Sequence, residues 1–596
     1  MHGVHGLTGE IPENLFKDCV NARNFSGTFW YCKGLTGSIP ENLFANNVNA
    51  TSFRGGWGAG TPIRGTFTEC SNLTGNIPEN LFANCKNVES FEYLFYGCTG
   101  LTGEIPERLF ENNTKVKEVY EVFYGCTGLT GNIPEKLFKN NTAIKSFTGV
   151  FYGCTGLTGN IPEKLFENNI EGTNFSGVFY GCSGLTGNIP EGLFSNCINA
   201  TSFGATFQNC TGLTGNIPEK LFYNCTEAIG FGNTFRSCKG LTGNIPEGLF
   251  LNNTKAKYFY GTFCYCTGLT GEIPEKLFYN STEVTEFGSS YASGTFEGCT
   301  GLTGEIPEKL FMNCSKATNF SGIFMGCTGL TGSIPENLFA NCVEVVKFGG
   351  QYGEGGTFAG CTGLTGTIPE NLFANCKKIT SLRQTFSRCS GIVGPIPEKL
   401  LYNCTEVTDL SMMFSECDGL TGSIPENLFI NCTKLTDLGR TFYRCNKLTG
   451  NIPENLFANC TNLTTFSETF YGCYGLTGNI PENLFVNCPN ITTFYQTFYC
   501  CYGLTGNIPE NLFINCSNIT TFYYTFFACS GLTGISEKLF ENCQNVTDFR
   551  GTFSGCTELT GTAPTLWNRT NVKYTSSCFW GCKKLTNYAD IPSSWR

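Results

Sequence analysis

The chain has 596 residues, a formal net charge of −10 and charged side chains at only 14% of its positions. An acidic chain without a basic run is not expected to bind nucleic acid. No stretch of about 18 consecutive apolar residues occurs, so the sequence predicts no membrane-spanning helix. Hydrophobic residues make up 41% of the chain and include 54 Phe, which is enough for an extensive core.

One phrase recurs along almost the whole chain. Its clearest copy begins at Leu448 with LTGNIPENLFANC, and the next copy begins 28 residues later, at Leu476. Related anchors run from Leu7 to Leu585 and make about twenty copies. A fixed period of this length predicts a repeat solenoid, because each copy buries its apolar side chains only against its neighbours.

The repeats suggest three parts of the chain. We expect a short lead-in at 1–6, tandem repeats forming a single solenoid at 7–558, and divergent repeats with a cap at 559–596. The start, MHGVHGLTGE, lacks the basic and apolar regions of a signal peptide, so we expect either a mature start or another export route. The predicted cap is rich in tryptophan: Trp567, Trp580 and Trp595.

Within one copy, numbered 1 to 28 from its anchor leucine, apolar residues occupy positions 1, 5, 9, 10, 13, 16, 19, 23 and 26. This spacing fits neither one strand nor one helix, and it indicates a coil that turns corners. We predict short parallel strands at LTGNI and TNLTTF and a tight turn at TFYGC. IPENLFAN predicts a short helical turn, since proline at its first position has no N–H to lose.

Three copies are longer than the rest. Extra residues fall near 54–63, 289–293 and 351–355, always between the phenylalanines of positions 19 and 23. Insertions at one register emerge on one face of a solenoid, often its binding face, although tolerated surface loops are the simpler interpretation. The aromatic candidates in these insertions are Trp57, Tyr291 and Tyr352.

The run VTDLSMMFSECDGLTGSIPENLF, from Val407 to Phe429, resembles the BspA-like leucine-rich-repeat surface proteins, here as a 28-residue variant. LTGNIPENLF is also similar to the LTGxIPxxL phrase of plant extracellular leucine-rich repeats. The resemblance implies a leucine-rich-repeat-type β-solenoid with short parallel strands and short helical turns, built from about twenty coils. It also implies binding or adhesion at a cell surface instead of catalysis.

The 36 cysteines fall mainly at positions 26 and 13 of the copies. Several copies carry asparagine at position 13, for example Asn113 and Asn141, yet keep cysteine at position 26. A disulfide within every copy is therefore impossible. We predict ladders of free buried thiols, with disulfides between neighbouring coils as the alternative. Paired CxxC motifs are absent and the only histidines are His2 and His5, so we predict no metal and no cofactor.

Asparagine recurs at position 12, often within an N-glycosylation sequon, and a second set of sequons lies at position 15. An extracellular glycoprotein is one interpretation, and an asparagine ladder that bonds to turn backbone is the other. The position-15 set lies beside the threonines of the predicted strand and is the better glycan candidate. The candidates are Asn462, Asn490, Asn518, Asn545, Asn112, Asn140, Asn252, Asn403, Asn431 and Asn459.

Two further residue types recur in register. Glutamate follows the proline in nearly every copy, and lysine or arginine often comes next, which favours a solvated stripe over a calcium site. Tyrosines crowd the later copies where phenylalanine already fills the core, so they predict a protein- or glycan-binding face, with rim packing as the alternative. These tyrosines are Tyr471, Tyr474, Tyr495, Tyr499, Tyr502, Tyr523 and Tyr524.

Together these features predict a non-enzymatic, adhesin-like surface protein that binds protein or glycan through the tyrosine face and the insertions. No catalytic residues are expected, because the chain has no usable histidine, no nucleophile–base pair and no phosphate loop. The alternative is a structural subunit that self-associates end to end into a fibre, or a phage appendage protein. The expected location is extracellular or at the cell surface, with a phage or intracellular origin as the alternative.

Overall fold

A computed structural model describes residues 7–58, 61–63, 65–289, 293–350 and 355–596. The chain divides into two units, each built from the same coil. Unit 1 comprises Met1–Val284 with Thr295–Leu302, and unit 2 comprises Thr285–Gly294 with Thr303–Arg596.

Within each unit, backbone hydrogen bonds join one coil to the next. In unit 2, the amide of Thr477 donates to the carbonyl oxygen of Gly450 over 2.9 Å. On the opposite side of the coil, the amides of Phe466 and Phe470 donate to the following coil, the latter over 3.0 Å. Because these bonds set one coil directly on another, side chains at equal positions stack in register.

Regular strands are short and lie mostly at the LTGN phrase of the repeat. Unit 1 has two pairs: parallel β1 Thr8–Glu10 with β2 Gly34–Thr36, and antiparallel β3 Gly56–Gly58 with β4 Thr61–Ile63. Unit 2 has parallel strands at β5 Gly304–Glu305, β6 Leu330–Thr331, β7 Gly478–Asn479, β8 Leu504–Asn507, β9 Leu532–Ile535 and β10 Thr560–Gly561. Three 3-10 helices follow at Leu566–Asn568, Tyr588–Asp590 and Ser593–Trp595.

The predicted helical turn and second strand take different forms in the structure. Over the described residues the helices are all of the 3-10 type, and IPENLFAN is a run of turns in which Leu456 donates to Pro453 over 3.3 Å. The TNLTTF segment contributes one bridging residue per coil, such as Thr465 with Thr493. It does not continue as a strand because the chain turns immediately afterwards.

The turning is caused by residues with positive φ at positions 21 and 25. Glu468 has φ 54° and Gly472 has φ 69°, and the next coil repeats this with Gln496 and Cys500. Non-glycine residues pay a steric cost in this left-handed region. Backbone hydrogen bonds to the next coil hold these residues in that conformation. For example, the backbone N–H of Glu468 donates to the carbonyl oxygen of Tyr495 over 2.8 Å.

The nine apolar positions form the core, as the spacing predicts. In the Leu448 copy they range from 0 to 2% exposed: Leu448, Ile452, Leu456, Phe457, Cys460, Leu463, Phe466, Phe470 and Cys473. Phenylalanines stack on their counterparts, with Phe466 and Phe494 5.8 Å apart between ring centres. Such pairs add about 0.5–1.5 kcal/mol each beyond the burial of their area.

The cysteine ladders are free thiols bonded to backbone, and none of the 36 cysteines, all in described residues, forms a disulfide. At position 26, the Cys473 thiol donates to the Phe442 carbonyl over 3.0 Å. At position 13, the Cys225 thiol donates to Phe194 over 3.6 Å. Asn141 makes the equivalent bond to Phe110 over 3.0 Å, which explains why cysteine and asparagine exchange at this position.

The last residues cover the end of the aromatic core in unit 2. Trp595 lies 6.3 Å from Phe549 between ring centres, and its carbonyl accepts the amide of Phe579 over 2.8 Å. Arg569 stands where the position-13 ladder ends and donates to the carbonyls of Cys543 and Phe540, each over 2.7 Å. Arg569 therefore donates hydrogen bonds to the carbonyls equivalent to those that accept from asparagine or cysteine in earlier coils.

Candidate interaction surface

All seven tyrosines singled out from the sequence lie on one face of unit 2. They occupy positions 20, 21, 24 and 27, at or near the positive-φ positions 21 and 25, and Tyr524 itself has φ 49°. Together with Tyr443 we call them the tyrosine strip: Tyr443, Tyr471, Tyr474, Tyr495, Tyr499, Tyr502, Tyr523 and Tyr524.

The centre of the strip is a stack of parallel rings at position 24. Tyr471 lies 4.7 Å from Tyr443 and 4.4 Å from Tyr499 between ring centres. The stack continues to Phe527, 4.5 Å from Tyr499. The rings meet because equal positions in successive coils lie about 4.8 Å apart, close to the thickness of stacked aromatic rings.

Two shorter stacks flank this one. Tyr495 and Tyr523 are 5.0 Å apart, and Tyr474 and Tyr502 are 5.4 Å apart. Tyr474 is 46% exposed, Tyr495 36% and Tyr502 48%. Since the phenylalanines beneath already fill the core, these rings form a contiguous accessible aromatic surface.

Three arginines, Arg440, Arg444 and Arg550, lie against the rings of the strip. The guanidinium groups of Arg440 and Arg444 are 5.7 and 5.3 Å from the centre of the Tyr443 ring. Arg550 is 4.8 Å from the ring of Tyr523. Arg440 also pairs with Glu468 over 2.7 Å, and Arg550 with Asp548 over 2.7 Å. Sequence reasoning missed these cations, although arginine occurs at position 25 in two coils of unit 2, as Arg388 and Arg444.

The pKa values of four phenols of the strip are raised, chiefly by burial and by neighbouring groups: Tyr443, Tyr495, Tyr499 and Tyr502. Burial and the neighbouring Tyr471 raise the pKa of Tyr499 to about 12. A hydrogen bond with Cys500, together with burial, raises the pKa of Tyr502 to about 12. At neutral pH these four hydroxyls are therefore neutral, and the charges beside the rings are those of the arginines.

Unit 1 has a second position-24 stack, which sequence reasoning missed. Tyr96, Tyr124, Tyr152 and Tyr180 lie 4.4, 4.3 and 4.0 Å apart in succession. Recurrence of tyrosine in the phrase FYGC at position 24 was the available signal. It was overlooked because the later copies hold more tyrosines.

Every glycosylation candidate uses its side-chain amide to bond to the preceding coil. At position 12, Asn459 donates to the carbonyl of Ile430 over 2.8 Å. At position 15, Asn462 donates to the carbonyl of Thr433 over 2.9 Å. The same contact is made by Asn112, Asn140, Asn252, Asn403, Asn431, Asn490, Asn518 and Asn545. The asparagine ladder is therefore present, and glycan attachment stays a prediction.

The glutamates form a row along an open groove in unit 2 of about 1450 Å³. Its lining includes Ile452, Pro453 and Glu454 and their counterparts in neighbouring coils. Glu454 accepts a hydrogen bond of 3.1 Å from the amide of Asn483, so a donor lies between successive carboxylates. In unit 1, Lys136 occupies the position equivalent to Asn483, and its Nζ lies 3.7 Å from Oε1 of Glu107.

The three aromatic residues of the insertions stay binding candidates predicted from the sequence. Trp57 lies in β3, and the structure describes only its backbone; Tyr291 and Tyr352 lie outside the described residues. Across the described ranges, no three His, Cys, Asp or Glu side chains could together hold a metal ion. A search of the same residues finds no helix with the length and apolar character that crossing a bilayer requires.

Comparison with known proteins gives one family. The chain matches the family described as Mycoplasma protein of unknown function, DUF285, over residues 60–163, 356–483 and 492–595, together more than half of its length. A search of curated proteins found no match.

Solved structures of similar fold are receptors and surface proteins. A TDR receptor is 19% identical, with a TM-score of 0.54 over 96% of this chain and 82% of that one. The plant peptide hormone receptor RGFR1 in complex with RGF2 is 18% identical, with a TM-score of 0.47 over 95% and 90%. A leucine rich cell surface protein from Faecalibacterium prausnitzii is 17% identical, with a TM-score of 0.27 over 70% and 87%. The likeness to the TDR receptor, whose TM-score is above 0.5, concerns the fold alone, a repeat solenoid of the leucine-rich-repeat kind.

Proposed function

This chain belongs to the DUF285 family, and we propose that it is a non-enzymatic surface protein that binds a protein partner through the tyrosine strip. The observation that carries the proposal is the strip itself, where stacked tyrosines and arginines lie outside an already filled phenylalanine core. Tyrosine and arginine are enriched among the residues that dominate binding energy at protein interfaces. Stacked, packed rings also lose little conformational freedom on binding.

The repeat architecture supports a binding role for this face. Coils that contact only their neighbours form an extended surface, and the side chains on it can vary without disturbing the core. The core positions in unit 2 repeat almost unchanged, whereas position 24 changes from Tyr443 to Phe527 and position 21 from Arg440 to Tyr524. Variation on the outside of a uniform core suits recognition of a specific partner.

The proposal is tested with purified full-length protein against a panel of purified extracellular proteins and a glycan array. The test variant replaces Tyr474, Tyr495 and Tyr502 with serine, which removes exposed rings and leaves the core intact. Tyr402→Ser is the matched control, because Tyr402 is 57% exposed in the same unit and lies outside the strip. We expect the triple variant to weaken partner binding by about 100-fold, equivalent to about 2.7 kcal/mol, and the control to leave it unchanged. Equal binding by the triple variant and the unaltered protein would refute the assignment of the strip.

Adhesion and glycan attachment belong to the same proposal. A surface location rests on the resemblance of Val407–Phe429 to surface proteins, and glycan attachment rests on the sequons. The intact mass of protein from its native source tests the latter: hexose-sized additions above the 65.2 kDa chain support it, and an unmodified mass contradicts it.

A further inference from the structure

The central rings of the strip are accessible only at their edges. Tyr471 has Tyr443 on one face and Tyr499 on the other, with interplanar angles of 22° and 2°. Tyr499 is likewise enclosed by Tyr471 and Phe527, at 14° to the latter. A sugar ring that stacks on an aromatic face needs that face open. The centre of the strip therefore does not offer the usual platform for a glycan.

The accessible parts favour an electron-rich ligand group. The edge of an aromatic ring carries partial positive charge, and its face carries partial negative charge. The phenols of Tyr443 and Tyr499 are neutral at physiological pH, because their pKa values are raised by burial, so neither adds a negative charge to the stack. Carboxylate oxygens are chemically complementary to a row of ring edges.

Arg444 supplies a full positive charge at this position. Its guanidinium lies 5.3 Å from the Tyr443 ring centre and 5.9 Å from that of Tyr471, and the side chain is exposed. The carboxylate whose charge reaches Arg444 is Glu416, and Glu416 forms its ion pair with Arg388 over 3.3 Å. Arg440, in contrast, is itself paired with Glu468 over 2.7 Å. A guanidinium held by two rings is already positioned for bidentate hydrogen bonding to a carboxylate.

We infer that the tyrosine strip recognises a carboxylate-bearing segment of its protein partner, with Arg444 as the residue that binds the carboxylate. This inference rests on the proposed function and narrows it to a partner with an acidic segment. The positive charge that complements an acidic ligand is confined to the strip. The chain as a whole carries −10, so an acidic ligand is repelled elsewhere and finds its attraction at the strip.

The test uses a fluorescent oligo-glutamate peptide, with oligo-glutamine and oligo-lysine peptides for comparison, on the full chain by fluorescence anisotropy. We expect oligo-glutamate to bind at low ionic strength and to bind Arg444→Gln about tenfold more weakly, with partial recovery in Arg444→Lys. Arg596→Gln is the matched control, because Arg596 is an exposed arginine of the same unit whose guanidinium also lies over a tyrosine ring, 5.5 Å from the centre of Tyr588, outside the strip. Arg444 has φ 54°, so glutamine keeps a non-glycine residue there, and thermal unfolding of each variant verifies its fold.

Three results would overturn the inference: no binding of oligo-glutamate, equal binding of oligo-glutamine, or an Arg444→Gln variant that binds like the unaltered protein. Its failure is distinguishable from failure of the proposed function. If a partner from the protein panel requires the strip tyrosines but tolerates Arg444→Gln, the inference is wrong and the proposed function stands. If only glycans bind, or no ligand depends on the tyrosines, the proposed function is wrong as well.

Discussion

The asparagine ladder at position 13 offers a quantitative test of what holds the coils together. Asn141 is 1% exposed, and its amide donates to the carbonyls of Phe110 and Asn113 over 3.0 and 2.9 Å. Replacing it with alanine leaves two buried carbonyls without this donor. Each carbonyl keeps a backbone donor, Asn113 to Phe110 over 3.1 Å and Val116 to Asn113 over 3.2 Å, so the loss is that of two hydrogen bonds at about 0.5–1.5 kcal/mol each. We therefore expect Asn141→Ala to lower the free energy of unfolding by about 1–3 kcal/mol.

Asn141→Cys is the matched comparison, because cysteine occupies this position in other coils. The Cys225 thiol bonds over 3.6 Å to the carbonyl equivalent to that of Phe110, which retains a weak donor. The Oδ1 atom of Asn141 has no hydrogen-bond partner in the structure, so cysteine also removes a buried unsatisfied acceptor. We expect the cysteine variant to lose less than about 1 kcal/mol.

Urea unfolding followed by circular dichroism measures both variants, with the slope of the transition compared as well as its midpoint. A change in midpoint with an unchanged slope is the result that reports on stability alone. The reasoning would be refuted by equal losses in the two variants, or by a loss below about 0.5 kcal/mol for alanine, since the backbone bonds would then be unimportant.

Three further predictions concern buried hydroxyls and thiols. Thr497→Val should lower the free energy of unfolding by about 1–2 kcal/mol, because the buried hydroxyl donates to the Phe466 carbonyl over 2.9 Å; an unchanged urea midpoint would contradict this. In the native protein a maleimide should label Cys19 first, since it is the exposed thiol among the 36, and mass spectrometry showing rapid labelling elsewhere would argue against the buried ladders. Burial raises the pKa of the Cys473 and Cys389 thiols from 9.0 to about 12, so their contribution to stability is complete below pH 9 and is lost as pH rises towards 12. The urea midpoint should therefore fall progressively above pH 9, and a midpoint constant from pH 8 to 11 would disprove this origin.

The sequence predicted the surroundings of a side chain well where the same residue types recur at one position of successive coils. The exchange of cysteine and asparagine at position 13 indicated a small side chain near backbone groups, and the carbonyls that accept from Asn141 and Cys225 are such groups. Local conformation was harder to predict. IPENLFAN contains a favourable start for a helix, yet its turns end after one or two hydrogen bonds, because the following cysteine and leucine must enter the core of the coil.

The amino-acid sequence by itself determined the period and the core of this protein. A copy of 28 residues with nine apolar positions can bury them only by stacking on equivalent copies, so Leu448 and Phe466 had to be interior. The tertiary structure decided the surface. Positive φ at Glu468 and Gly472 depends on bonds to the next coil, and the contact of Tyr471 with Arg444 depends on the rise between coils and the direction of each side chain. These contacts join residues 27 positions apart in the chain, and a linear pattern contains no distance between them.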